Sequence, residues 1–352
     1  MVQQKVKYTD TERTPAERAR ALLEEMTLDE KMAQLGCIFP FGDSYDDMEQ
    51  QALEMPYGIG QVSTLEMRRI GTLEEAAGWQ RKMQETVMRQ SPHHIPAIFH
   101  MEGLCGAFIQ EGTSFPSGIA RGSGWDPELE EKIAKVVAKQ EAACGITHIL
   151  APVLDISRDS RMGRQGETYG EDPALAAALG AAYTKGIQTT EAGGRRPESV
   201  AKHFLGFHNS QGGIHGTNSD TPSRLMEEIY GKPFQSAISE SELKGVMPCY
   251  NSIDGEPASV SHRLLTELLR EKMGFDGLCV SDYGGPRGPA NRGDYRRNRA
   301  SCHGSRDGHR DAESDRIWRR TQRNVPKRAG GYRTVGPDRS AGVGSQVPHG
   351  SV

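Results

Sequence analysis

Eight residues with chemically useful side chains stand at the ends of short apolar runs: Glu102, Asp155, Arg158, Arg164, Lys202, His203, Tyr250 and Asp282. The last run, residues 277–283, reads as a buried strand, and alternation along it puts Leu278, Val280 and Asp282 on one face and Cys279 and Ser281 on the other. In parallel α/β barrels chemistry collects at the carboxyl ends of the strands. Asp282 is therefore the candidate nucleophile. Taken singly, these residues have ordinary structural uses: Asp282 or Glu102 as a cap, Arg164 as a partner for Glu167 or Glu171, His203 as a core histidine. Gathered on one rim they have another use, because donors and acceptors at fixed positions are what a polyhydroxylated ligand requires. Lys202 and His203 are sequence neighbours, so a regular strand would turn one of them away, and both reach the rim only if the strand end is irregular.

The elements that would position this rim alternate along the chain. Thr14-Pro15-Ala16-Glu17 and Thr27-Leu28-Asp29-Glu30 have the form of capping boxes and open two helices. Strands follow at 57–63, 95–100, 148–156, 199–204, 245–250 and 277–283. Between them lie helices at 73–90, 126–143 and 172–188, one beginning near Thr221, and one at 261–273 with Leu264, Leu265, Leu268 and Leu269 turned inward. Asp126-Pro127 and Asp172-Pro173 are helix starts of the same kind. This alternation predicts an α/β fold, a TIM-type (β/α) barrel with about six strand-helix units. Closure of such a barrel takes eight, so the barrel is expected to be incomplete.

The composition divides the chain in two. The whole carries a formal charge of −4, but residues 286–352 hold fourteen Arg and one Lys against six acids, leaving the part before them strongly acidic. Residues 286–352 also contain no Leu, Phe or Met. A segment of that kind cannot bury enough apolar surface to offset its ordering entropy. The expected domains are thus a barrel over 1–285 and a disordered basic tail over 286–352. The Arg residues of the tail are interleaved with acids and Gly rather than clustered, which argues against a nucleic-acid partner. An out-of-frame translation beginning near residue 285 accounts for the change of character. No apolar leader or membrane-spanning run stands in the sequence, so a cytoplasmic product with no membrane partner is expected. The six cysteines are scattered without a C-x-x-C pair and read as free thiols, and no metal or organic cofactor is implied.

The order of motifs resembles glycoside hydrolase family 3. The matching text is Ile95-Pro96-Ala97 leading to His100-Met101-Glu102-Gly103; Ala151-Pro152-Val153-Leu154-Asp155-Ile156-Ser157-Arg158-Asp159 with Gly163-Arg164; Lys202-His203-Phe204; Met247-Pro248-Cys249-Tyr250; and Ser281-Asp282-Tyr283. The likeness is greatest to the β-glucosidase and β-xylosidase branch. It implies Asp282 as the nucleophile of a retaining mechanism, Glu102, Arg164, Lys202 and His203 as sugar-hydroxyl ligands, and Tyr250 as a neighbour of the nucleophile. Met162 replaces the Trp common before Gly163-Arg164. The implied substrate is a small oligosaccharide or aryl β-glycoside. A retaining glycosidase also needs an acid/base, which this sequence does not display, so impaired activity is expected. A single-domain β-N-acetylhexosaminidase-like enzyme is the alternative, as is a non-catalytic sugar-binding fragment. The former would carry Asp-Ser-His after Lys202-His203-Phe204, a loop absent here, so His208 and His215 read as loop residues.

Overall fold

Local signals set the helix starts. In a computed structural model that describes residues 7–40 and 52–283, the Thr14 and Thr27 side chains accept from the backbones of Glu17 and Glu30, whose carboxylates return the bond to the cap backbone. Helices α1 (Pro15–Glu25) and α2 (Leu28–Gln34) begin there. Asp126 and Asp172 accept from the first-turn amides of the helices they precede, each with Pro at the first helical position.

Seven parallel strands lie side by side in chain order: β1 (Cys37–Ile38), β2 (Gln61–Ser63), β3 (Ile98–Met101), β4 (His148–Ile149), β5 (Glu198–Phe204), β6 (Gly245–Pro248) and β7 (Leu278–Cys279). The sequence predicts six, and β1 is the addition. It follows α2 directly and pairs Cys37 with Gln61 and Ile38 with Val62. A two-residue strand carries no periodicity of its own, so its place in the ladder comes from its neighbour. Helices α3 (Leu73–Gln90), α4 (Pro127–Ala143), α5 (Pro173–Gln188) and α6 (Lys232–Ser241), and the wider i→i+5 helix α7 (Arg263–Lys272), stand between strands as expected. A small sheet of Asn218–Ser219, Ser252–Ile253 and Glu256–Pro257 joins the loops that follow β5 and β6.

The sheet is curled in the manner of a (β/α) barrel. Tyr283, just beyond β7, shares hydrogen bonds with Ser63 Oγ at 2.9 Å and His100 Nε2 at 3.0 Å, and its ring meets that of Phe39 edge-on at 5.5 Å. The last strand thus faces the first three across the interior. Below this contact Leu150, Val200, Met247 and Val280 form one buried layer, a packed core rather than a pore. Outside the sheet, Phe204 and Phe234 pack edge to face at 5.1 Å within the largest apolar cluster. A second cluster seats Trp79, Met83 and Val87 of α3 on Val62, Phe99 and Met101. Leu264 and Leu269 of α7 are buried, with Leu265 and Leu268 half-buried beside them. One detail differs from the expected buried strand at 277–283: Leu278 is 38% exposed, because among the described residues β7 has a neighbour only on the β6 side.

The tail over 286–352 and the domain boundary at 285 lie outside the described residues, as does Cys302. The other five cysteines are free thiols, of which Cys144 and Cys249 are buried. Among the described residues no helix is long and apolar enough to cross a membrane.

Candidate active site

Each candidate side chain is delivered by a strand end or the loop after it. Glu102 follows β3 directly, and the residue after it must be small: a Cβ on Gly103 would lie 2.3 Å from the Ile149 side chain on β4. Arg164 follows a single helical turn, Ser160–Met162, that ends at Gly163 with φ of 81°, a left-handed conformation that glycine adopts without cost. Met162 is buried in the main apolar cluster, filling that position with a smaller side chain than Trp. At the end of β5 the register with β6 is irregular between Lys202 and Phe204. This irregularity brings both Lys202 and His203 inward, each almost fully buried.

The contacts link these residues into one group. Lys202 Nζ pairs with Glu102 Oε2. Arg164 forks onto Glu167, with Nε to Oε1 at 2.7 Å and Nη2 to Oε2 at 2.8 Å. The same Nη2 stands 3.3 Å from His203 Nε2. His203 Nε2 in turn lies 3.6 Å from Asp282 Oδ2. The Tyr250 hydroxyl donates to the Tyr283 carbonyl at 2.8 Å and interacts with the Asp282 carboxylate beside it. The geometry therefore brings all six of Glu102, Arg164, Lys202, His203, Tyr250 and Asp282 to one rim. Arg158 is not part of it: this exposed residue lines a surface depression with Glu171, Asp172 and Pro173.

Several partners join the six, two of which, Glu167 and Asp155, the sequence also names. Glu167, named only as a possible partner of Arg164, is the one that binds it. Asp155, 3% exposed, takes the His203 ring at 2.7 Å between Nδ1 and Oδ2. Phe207 stacks near His203 at 4.6 Å and lies under the Arg164 guanidinium at 5.0 Å. His215, a loop residue by sequence, packs its ring 4.8 Å from Tyr250 and 5.2 Å from Phe207. The aromatic content of that loop was its only sequence signal.

The electrostatics follow from burial and from the cations. Burial, with Lys202 and Arg164 adding to it, holds His203 well below the ordinary histidine range and therefore neutral. Burial pushes Asp155 up to about 6, against the opposing influence of His208 and the His203 backbone N–H. Burial also acts to raise Glu167, but the Arg164 fork outweighs it and keeps this carboxyl below the usual range. Burial first, and the Asp282 carboxylate second, raise the Tyr250 phenol, which stays a neutral donor. Among the described residues no three His, Cys, Asp or Glu side chains converge as metal ligands would.

A curled parallel sheet with carboxylates, cations and aromatic rings at its carboxyl rim places the protein in the class of α/β, TIM-type barrels. Comparison with known proteins gives this class a family. The sequence profile of the glycosyl hydrolase family 3 N-terminal domain matches residues 27–301, and the chain belongs to that family. Among curated relatives, a β-xylosidase of Formosa agariphila is 36% identical over 197 residues, covering 53% of this chain and 27% of its own. A periplasmic β-glucosidase of Salmonella typhimurium is 30% identical over 264 residues, 75% of this chain and 32% of its own. Among solved structures, a β-glucosidase from Erythrobacter marinus superposes with a TM-score of 0.72 at 32% identity, over 78% of this chain and 37% of that one. A β-glucosidase of Listeria innocua in complex with glucose gives 0.67 at 28%, over 77% and 38%. The chain thus spans well under half the length of each of these four relatives.

Proposed function

We propose that the rim binds the terminal non-reducing sugar of a β-glucoside or β-xyloside and that Asp282 attacks its anomeric carbon in a retaining double displacement. The observation that supports this reading is that Asp282 stands beside neutral His203 and Tyr250, with Arg164 against the same His203 nitrogen and Lys202, next to His203 in the sequence, paired with Glu102. An oxocarbenium-like transition state needs an ionised carboxylate at the anomeric carbon. Arg164 and Lys202 supply positive charge nearby, and each directs donors that sugar hydroxyls accept.

A second carboxyl group is needed about 5 Å from the nucleophile to protonate the leaving oxygen. The other carboxylates described at this rim are engaged: Glu102 with Lys202, Glu167 with Arg164, Asp155 with His203. None is free to act as the acid, so on this reading the chain turns over β-glycosides slowly. The purified chain should hydrolyse p-nitrophenyl β-D-glucopyranoside and the β-D-xylopyranoside at low rates that Asp282→Asn reduces by a further factor on the order of 10⁴. Unchanged turnover in Asp282→Asn would refute the assignment.

A further inference from the structure

The environment of His203 fixes more than its charge. Its Nε2 faces Arg164 Nη2 at 3.3 Å, and a guanidinium only donates, so Nε2 must be the accepting nitrogen. Its Nδ1 lies 2.7 Å from Asp155 Oδ2, and Asp155 Oδ1 also accepts from the His203 backbone N–H at 3.3 Å. We propose that Asp155 is a positioning residue that holds the His203 proton on Nδ1 and so presents Nε2 to the sugar site as an acceptor. The two bonds from one carboxylate, to ring and backbone, set both the tautomer and the plane of the imidazole. Phe207 closes one side of the ring at 4.6 Å.

The consequence concerns the neighbouring carboxylate. Asp282 Oδ2 is 3.6 Å from Nε2. With the proton on Nδ1, no imidazole N–H is directed at that oxygen, and its lone pairs are left for an incoming electrophile. With the proton on Nε2, the same imidazole would donate to Asp282 and reduce its nucleophilicity. A buried carboxylate beside a histidine ordinarily favours the imidazolium; here burial and the nearby Lys202 and Arg164 oppose it. Asp155 therefore orients a neutral ring. This consequence, though not the proton position itself, rests on the reading of the rim as a glycosidase site.

Nitrogen-15 NMR of the full chain with labelled histidine rings, recorded at neutral pH and assigned through His203→Gln, reads the proton position directly. We expect a protonated, pyrrole-type Nδ1 and an unprotonated, pyridine-type Nε2 at His203. In Asp155→Asn the carboxamide offers an N–H to Nδ1, and the proton should move to Nε2, as the equivalent exchange does in a serine-protease triad. A proton on Nε2 or an imidazolium in the unsubstituted chain would overturn the proposal, as would an unaltered tautomer in folded Asp155→Asn. Should that variant fail to fold, the unsubstituted spectrum alone decides. D-Glucose added to the same sample probes the rim separately: a proton on Nδ1 with no response to D-glucose upholds the proposal and counts against the sugar site.

Discussion

A buried carboxyl group keeps its charge only where donors or cations meet it, and two glutamates, one at the rim and one inside α4, show both outcomes. Glu167 meets the Arg164 fork and stays acidic. Glu141 on α4 is fully buried with neither oxygen hydrogen-bonded, and burial first, then the Glu102 carboxylate, pushes it well above the ordinary value of 4.5. The folded chain consequently binds a proton at Glu141 over a pH range where the unfolded chain has lost it. Its favourable contribution is complete below the unfolded value and disappears as pH rises through the folded one. Glu141→Gln removes that dependence. Urea denaturation across mildly acidic to neutral pH should show the unsubstituted chain losing stability relative to the variant as pH increases, whereas parallel curves would exclude a raised Glu141. The same residues show what sequence makes legible. Side chains at strand ends can be picked out one by one, but the pairing of Lys202 with Glu102, a hundred positions apart, is a product of the curl. Asp155 acquires His203 in the same way, and nothing in its spacing announces it, whereas the Arg164–Glu167 pair, three residues apart, is local and readable.

At the scale of elements, Tyr283 ties the ends of the curled sheet together. Its hydroxyl joins Ser63 at the end of β2 and His100 on β3, and its own carbonyl accepts from Tyr250. Removing the hydroxyl loses two hydrogen bonds, each contributing about 1 kcal/mol net, and leaves buried polar groups unpaired. Tyr283→Phe should therefore lower unfolding free energy by about 1–3 kcal/mol, read as a fall in the urea midpoint at unchanged m-value. A change below about 0.5 kcal/mol would mean that the contact does not hold the curl. Helix starts were legible because capping is local: Thr14, Thr27, Asp126 and Asp172 each act within three residues. Strand β1 was not, since Cys37 and Ile38 become a strand only against Gln61 and Val62. The predicted strand at 148–156 shortens for a related reason: beyond Ile149 the chain bonds to β5 only at intervals, with a bridge between Val153 and Lys202.

At the scale of the whole molecule, the central claim is that this barrel rim can perform the first half of a retaining displacement without an acid of its own. Such a site depends on leaving-group chemistry. A 2,4-dinitrophenolate departs without protonation, so if no acid serves the rim the corresponding β-glucoside should react far faster than p-nitrophenyl β-glucoside, because a general acid contributes about 10²–10⁴-fold where protonation is needed. Similar rates for the two substrates would show that an acid/base operates in the chain.

The measurement that bears most directly on the account is covalent trapping with 2,4-dinitrophenyl 2-deoxy-2-fluoro-β-D-glucopyranoside, whose fluorine slows release of the glycosyl group once it is attached. Intact-mass spectrometry of the full chain should show the addition of a single fluoroglucosyl group, peptide mapping should place it on Asp282, and Asp282→Asn should acquire none. A label on another residue, or equal labelling of Asp282→Asn, would contradict the role given to Asp282.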